Sequence, residues 1–492
     1  MKRVPSGALV GVEGVPVDVE VSLTSGLPGI IIVGLGGKAV QESRERVKAV
    51  LNSVGYQLPP QRITINLSPA GVAKEGSHFD LPIALGILFH DREEELEEYL
   101  ILGELGLDGR LKDTPAIFPI ILSLRPKKVI IPLATAPKVA QIPGIEIYPF
   151  QHIQEVLEWK PHQVERNPYN YPYIKIGGEK YYYSDHFPVD FSEVKGQRDG
   201  KDGALLSATG FHNILLEGSP GVGKSMIIKR LRYILPPLKL DEILEIEKMR
   251  VLEGQKSRFE PVRPFRSPHH SATPSAIFGG GSREAKIGEI ALAHKGILFF
   301  DELPHFKRDV LENLRLPLQE QRMLISRVNN KIEYKTDILF AGAMNPCPCG
   351  NLLSPVKECR CTPIEIARYK KRLSQPLLER IGIYVEMVEE PEPTGKDSYP
   401  VTSRELQERV LTAFEVAGGK LTARLPENYQ FNYTSEVYSL LQMAVQKFGL
   451  SHRAQFNLMK LALTSAHLNR RTKIEKNDFL FVLRFRPRQL EI

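Results

Sequence analysis

Eight consecutive residues constrain this chain more than any others: Gly218-Ser219-Pro220-Gly221-Val222-Gly223-Lys224-Ser225. The apolar run Asn213-Ile214-Leu215-Leu216-Glu217 before them reads as a short buried strand. Met226-Ile227-Ile228-Lys229-Arg230-Leu231 after them reads as a helix. Strand, glycine loop and helix in that order make a phosphate-binding P-loop. The glycines let backbone N–H groups close round the β- and γ-phosphates, and the helix N-terminus adds partial positive charge. Lys224 supplies a full positive charge, and the Ser225 hydroxyl is placed to ligate magnesium. The stretch commits this part of the chain to an α/β fold that binds ATP with Mg2+.

Two further patterns complete an ATPase. Ile297-Leu298-Phe299-Phe300-Asp301-Glu302 is an apolar strand ending in two acids, the Walker B pattern. Asp301 is expected to hold magnesium, and Glu302 to polarise the attacking water. Ile338-Leu339-Phe340-Ala341-Gly342-Ala343-Met344-Asn345 reads as the next core strand, with Asn345 as a sensor amide that orients that water. Just before it, 323–335 reads as a hairpin, because Asn329-Asn330 tolerates the left-handed backbone of a tight turn.

The four cysteines of the chain lie close together, as Cys347-Pro348-Cys349 and Cys359-Arg360-Cys361. Such clustering argues against a disulfide framework. Two CxC pairs can supply four thiolates in a tetrahedral array, which suits structural Zn2+; free thiols are the alternative. The neighbouring pair His269-His270 is not read as a metal site, since adjacent side chains point apart and no partner sits at ligand spacing.

At 492 residues the chain is too long for one core, and two to four domains are expected. No apolar run approaches the ~20 residues of a membrane span. The basic opening lacks an apolar signal core, so a cytoplasmic protein is expected. A net charge of +7 permits nucleic-acid binding without establishing it.

Residues 1–160 alternate strand and helix patterns: strands at 16–21, 29–35, 62–67 and 128–132, helices at 39–54, 81–90 and 152–159. That is an α+β domain without a P-loop of its own. Residues 161–189, rich in Pro, Tyr and Lys and without apolar period, read as an extended linker. The block that carries the P-loop begins at 190, with a helix over 198–209 that carries Gly200 and Gly203. Helical patterns at 403–416, 435–448 and 453–469 follow the breaker-rich stretch 391–400.

Several stretches resemble the YifB/ComM family of magnesium-chelatase-like AAA+ ATPases. They are Glu42-Ser43-Arg44-Glu45-Arg46-Val47, Ile65-Asn66-Leu67-Ser68-Pro69-Ala70, Lys74-Glu75-Gly76-Ser77-His78-Phe79-Asp80-Leu81-Pro82, Arg263-Pro264-Phe265-Arg266-Ser267-Pro268-His269-His270, and Asn345-Pro346-Cys347-Pro348-Cys349-Gly350. The resemblance implies an α/β, multidomain protein. A Lon-protease-like α+β domain would span 1–160 and a linker 161–189. An AAA+ core would span 190–390 with the four-cysteine insert 347–361, and a C-terminal helical lid 400–492. A working Lon site needs a lysine beside its serine. Ser77 is present, but the helix at 116–122 offers no lysine, so no proteolysis is expected.

The same resemblance gives Arg380, in Pro376-Leu377-Leu378-Glu379-Arg380-Ile381, the role of an arginine finger on the neighbouring subunit's ATP. Arg453, in Leu450-Ser451-His452-Arg453, becomes a sensor on the γ-phosphate of its own subunit. Arg283, Lys286, Arg327 and Lys331 would reach DNA phosphates from hairpins facing a pore. The basic residues after 469 read as a solvated tail. The family implies a homohexameric ring, and the 323–335 hairpin marks its helicase-like branch. The expected activity is that of a DNA helicase or branch-migration motor in recombination and natural transformation. The rivals are a chaperone-like chelatase subunit that remodels a protein partner and an ATP-regulated protease.

Overall fold

Alternating apolar and polar residues in 13–24 put Val17, Val19 and Val21 on one buried face, which makes the strand Glu13–Thr24 the spine of a four-stranded sheet. Lys2–Val10 and Arg62–Ser68 flank it antiparallel, and Gly29–Val33 lies parallel outside Arg62–Ser68. The amphipathic helix Lys38–Ser53 buries Val40, Val47, Val50 and Leu51, and the helix Asp80–Leu88 is buried along its whole length. A second sheet, three parallel strands, joins Tyr99–Ile101, Lys128–Pro132 and Glu146–Phe150.

This computed structural model describes residues 1–34, 36–92, 96–166, 169–280, 287–326, 331–389 and 399–486. It divides into two units, the first Met1–Asn170 with Glu247–Phe259, the second Tyr171–Ile246 with the chain from Glu260 onward. No described helix is long and apolar enough to cross a membrane.

Within the first unit Asp80 is fully buried and accepts two hydrogen bonds from Arg46, at 2.7 and 3.0 Å. It also accepts from the Leu105 amide. The Ser77 hydroxyl donates to the Glu104 carboxylate, and the buried Lys74 ammonium to the Pro69 carbonyl. Among the described residues the hydrogen-bond partner of Ser77 is thus a glutamate, and Lys74 is turned to a backbone carbonyl, so no serine–lysine pair is formed.

The second unit is built on five parallel strands in the order Phe265–Arg266, Ile297–Phe300, Leu339–Met344, Ile214–Gly218, Ile383–Met387. The strands Ile297–Phe300 and Leu339–Met344 are apolar and buried throughout, which suits a sheet covered on both faces. The helix Arg198–Gly210 is buried almost throughout. Its glycines, each costing about 1 kcal/mol of helix stability, have a packing reason. A Cβ on Gly200 would stand 2.6 Å from Ile227, and one on Gly203 would stand 2.6 Å from Val385.

Two expectations change. The stretch read as a linker holds an antiparallel hairpin, Tyr173–Ile176 with Glu179–Tyr182. Tyr181 and Tyr182 are buried; Tyr181 meets Phe414 edge-on at 5.3 Å, and Tyr182 pairs its backbone with Leu238. Periodicity missed it because the hairpin has only four residues a strand and turns on Gly177-Gly178. The basic residues after 469 are solvated only in part: Arg470 and Lys473 are exposed and Arg488 lies outside the described residues, whereas Arg471, Arg484 and Arg486 have partners. Arg471 pairs with Glu475 and Asp478 at 2.8 and 3.0 Å, Arg484 pairs with Asp199, and Arg486 lies over the Phe448 ring.

Four helices end the described chain: Ser403–Val416, Ser435–Phe448, His452–Leu468 and Lys476–Leu483. The first carries a capping box, Thr402 with Glu405, and the third is capped by the Ser451 hydroxyl on the Ala454 amide. Their apolar faces close on the sheet through Leu406, Val410, Leu458, Leu461 and Phe485, which join one core with Ile214, Ile383 and Val385.

Candidate nucleotide site

The strand Ile214–Gly218 delivers its loop at the carboxyl end of the sheet, where α/β folds take ligands. Gly221 and Gly223 have φ of 87° and 97°, left-handed conformations that side chains resist, and open space lies beside both. The helix Lys224–Leu231 starts directly from Gly223. The Lys224 ammonium is folded onto its own loop. It donates to the carbonyls of Gly218 at 2.6 Å and Ser219 at 2.9 Å, and to Asn345 Oδ1 at 3.2 Å. Burial lowers its pKa to about 8, against the opposing pull of Asp301 and Glu217.

The strand Leu339–Met344 lies between the P-loop strand and the Walker B strand Ile297–Phe300. All three run parallel, so Lys224, Asn345 and Asp301 meet at one end. The Ser225 hydroxyl donates to Asp301 Oδ2 at 2.8 Å. Magnesium takes oxygens at 2.0–2.1 Å in an octahedron, whose edge is about 2.9 Å. The two oxygens already stand at that spacing, so Ser225 and Asp301 fit Mg2+ shared with triphosphate oxygens.

Glu302, next in the chain, takes φ 52° and ψ 45°. A left-handed backbone on a non-glycine residue costs on the order of 1–3 kcal/mol and gathers at functional sites. Its half-exposed carboxylate has two neighbours that sequence reading missed. His270 Nδ1 and His305 Nδ1 each lie 3.6 Å from Glu302 Oε2. The His-His pair is thus drawn to Glu302, its two rings 4.1 Å apart. A carboxylate and a third histidine do come near, from segments no local spacing could reveal. Even so, among the described residues the only cluster able to hold a metal is the cysteines. The two arginines of the same motif are structural. Arg263 is buried on the carbonyls of Pro236, Pro237 and Lys295, and Arg266 is bidentate to Glu289.

Cys347, Cys349, Cys359 and Cys361 present four sulfurs that all lie within 4.8 Å of one another. Cys347 to Cys359 and Cys349 to Cys359 are both 3.7 Å, and Cys347 to Cys349 is 3.4 Å. A zinc–sulfur bond of ~2.3 Å gives a tetrahedral edge of about 3.8 Å, whereas a disulfide needs about 2.05 Å. The donor set therefore fits Zn2+. The cluster also abuts the phosphate loop: a Cβ on Gly350 would stand 2.7 Å from Pro220. Beyond it, the helix Pro363–Lys370 places Lys370 3.2 Å from Glu217, the last side chain before the loop. Burial raises the Glu217 pKa to about 7, and Lys370 opposes that rise.

Arg380 and Arg453 lie elsewhere. They line one cavity of about 720 Å³, together with Asn213, Gln319 and Lys460. Asn213 precedes the P-loop strand, and its amide donates to the Arg380 carbonyl. Arg380 itself precedes the strand Ile383–Met387, whose Met387 is the register partner of Gly218 at the far end. The cavity is therefore at the amino end of the sheet, one strand length from the phosphate loop, about 16 Å at 3.3 Å per residue. Lys224, Ser225 and Asp301 do not line it. In this chain Arg453 therefore stands apart from Lys224, Ser225 and Asp301. Arg380 is fixed by the Arg315 carbonyl at 3.0 Å and Gln319 at 2.6 Å, and burial followed by Arg453 lowers its pKa.

Of the expected DNA contacts, Arg283, Lys286 and Arg327 lie outside the described residues. Lys331 opens the second strand of the hairpin Arg322–Ser326 with Lys331–Lys335, paired with Ser326. At the hairpin's base Lys335 is engaged by Glu245 at 2.8 Å.

Comparison with known proteins agrees with this geometry. Residues 190–394 match the family described as magnesium chelatase, subunit ChlI; 19–135 match subunit ChlI of Mg-chelatase; and 400–486 match its C-terminal part. The chain is 38% identical to the uncharacterized protein YifB of Escherichia coli, over 94% of this chain and 92% of that one. It is 35% identical to the competence protein ComM of Haemophilus influenzae, over 94% and 93%. This chain belongs to the YifB/ComM family of magnesium-chelatase-like proteins. As a member it is an AAA+-type ATPase, for which ATP and Mg2+ are the implied ligands. The 38 kDa magnesium-chelatase subunit of Cereibacter sphaeroides is more distant, 23% identical over 32% of this chain and 53% of that one.

Two outcomes follow from this geometry. Phosphates will raise the Lys224 pKa above its free value of about 8. ATP affinity should then be flat below pH 8 and fall roughly tenfold by pH 9. A fluorescent ATP analogue titrated at each pH checks this, and a Lys224→Arg chain should lose that pH step. Metal analysis of the purified chain should give one zinc per chain, and stripping it with a chelator should lower both Tm and ATP affinity. Absence of zinc with a chelator-insensitive Tm would remove the metal from the account.

Proposed function

We propose that this family member is the subunit of a homohexameric AAA+ ring that hydrolyses ATP to move DNA, a ComM-like helicase or branch-migration motor serving recombination and natural transformation. The observation that carries the ring is the separation of the two halves of the catalytic apparatus. Lys224, Ser225, Asp301, Glu302 and Asn345 belong to the carboxyl end of the sheet, whereas Arg380 and Arg453 share a cavity at the amino end. Two guanidinium groups in one cavity repel each other, and a neighbour's γ-phosphate would neutralise both. In this reading Glu302 polarises the attacking water, Asn345 orients it, and the two arginines of the adjacent subunit stabilise the charge of phosphoryl transfer.

The DNA part of the reading is supported by near full-length similarity to a protein named for competence, and by the hairpin that precedes the Asn345 strand. Arg283, Lys286, Arg327 and Lys331 are assigned to DNA phosphates on the same grounds. The cysteine cluster is assigned to a structural zinc that braces the phosphate loop. The first unit is taken as a Lon-like domain without proteolysis and the last four helices as the lid. The protein is assigned to the cytoplasm.

The test is the ATPase rate without DNA, with single strands and with four-way junctions. Glu302→Gln should reduce the rate by about 100-fold or more, since a positioned base contributes that much. Stimulation by DNA that fades with salt is the expected result, because phosphate contacts release counterions. Greater stimulation by junctions would support branch migration. A rate indifferent to every DNA would replace this reading with that of a protein-remodelling ATPase.

A further inference from the structure

Behind the turn that carries Glu302 the second unit has a cavity of about 820 Å³ with an unusual lining. Four cations face it: Arg308, Arg368, Lys371 and Arg372. No acidic side chain lines it. Phe306 and Ile364 supply apolar surface beside them, and Ile364 is 79% exposed.

The arrangement follows from local structure. Thr362 and Glu365 form a capping box that starts the helix Pro363–Lys370, with Pro363 in its first turn. Tyr369 is buried, which turns the opposite face outward. Ile364, Arg368 and Lys371 fall on that face at spacings of four and three. The shorter helix Arg308–Asn313 contributes Arg308 from across the cavity. That helix carries two acids, neither of which lines the cavity: Asp309 accepts from the Val310 amide at 2.9 Å, and Glu312 is engaged by Arg315 at 2.9 Å. Among the described residues Arg368 and Lys371 make no side-chain hydrogen bond or ion pair. Exposed cations gathered in a concavity without carboxylates repel one another and attract a polyanion.

We infer that this cavity is a binding site for the sugar–phosphate backbone of single-stranded DNA, with the four cations on phosphates and Ile364 against a sugar or base face. The inference rests on the reading of the chain as a DNA motor and locates a contact among its described residues. A single strand fits better than a duplex. The cations line a pocket rather than a flat track, and apolar surface beside them suits an unstacked nucleotide.

The site also touches catalysis. Arg372 Nη1 donates to the Pro304 carbonyl at 3.1 Å. Pro304 lies two residues past Glu302, in the turn that brings His305 to the Glu302 carboxylate. A phosphate that engages Arg372 competes with that carbonyl. The cavity is thus one hydrogen bond from the turn that follows Glu302.

The experiment measures fluorescence anisotropy of a labelled oligothymidylate against salt, for the wild-type protein, the Arg368→Ala/Lys371→Ala variant and Arg308→Ala. All three positions are exposed, and circular dichroism melting checks that each variant folds. Each phosphate contact contributes about 0.7 to the slope of log K against log salt for single strands. The double variant should lose about 1.4 of that slope and Arg308→Ala about 0.7. Wild-type slopes in folded variants would overturn this site while leaving the DNA reading intact. Absence of binding by the wild-type protein would overturn the DNA reading itself. A variant that keeps its DNA slope but runs as a smaller species on gel filtration would make the cavity a subunit contact instead, and a variant that loses only the ATP analogue would make it a nucleotide pocket. Either result overturns the proposal.

Discussion

A parallel sheet sends every strand's carboxyl end the same way, and the candidate site depends on that polarity. The strand Leu339–Met344 sits between the P-loop strand and the Walker B strand, so three motifs distant in sequence are forced to one edge. The amino ends lie a strand length away, and Arg380 and Arg453 are there. No side-chain rotamer spans that distance. The same polarity that assembles the phosphate site therefore separates it from the arginines of its own chain.

Around that edge the phosphate loop is held from several sides. Gly350 of the cysteine segment packs on Pro220, and Lys370 faces the buried Glu217 at the base of the loop. The glycine-bearing helix Arg198–Gly210 presses close to Ile227 and Val385. Each support comes from a different part of the chain, so the loop is preorganised by tertiary packing rather than by its own sequence. Glu302 is the exception. It is half-exposed, left-handed in its backbone and flanked by two histidines.

What was legible in the sequence was what local spacing encodes. The P-loop, the two acids of the Walker B strand, the asparagine strand and the CxC pairs are written in consecutive residues. The structure brings their side chains together as that spacing implies. Legibility failed where function depends on distant segments meeting. Nothing near His270 announces Glu302, and nothing near Arg453 says which end of the sheet its helix starts from. The hairpin at Tyr173–Tyr182 was hidden for another reason. Strands of four residues give too little alternation to separate from a loop, and the partners of Tyr181 and Tyr182 come from distant segments, Phe414 against the Tyr181 ring and Leu238 on the Tyr182 backbone. The segment Glu247–Phe259 joins the first unit although the chain around it belongs to the second, a detour that carries no compositional mark.

The central claim is that each ATP site is completed by the arginines of a neighbouring subunit. Mixed assemblies test it most directly. A Lys224→Ala chain cannot bind nucleotide, and an Arg453→Ala chain lacks one donor; each alone should be inactive. If Arg453 acts on the adjacent subunit, mixing the two should restore ATPase activity, since some interfaces pair an intact phosphate loop with an intact arginine. If mixtures in every proportion stay as inactive as the separate variants, Arg453 serves its own subunit's nucleotide and the account is contradicted.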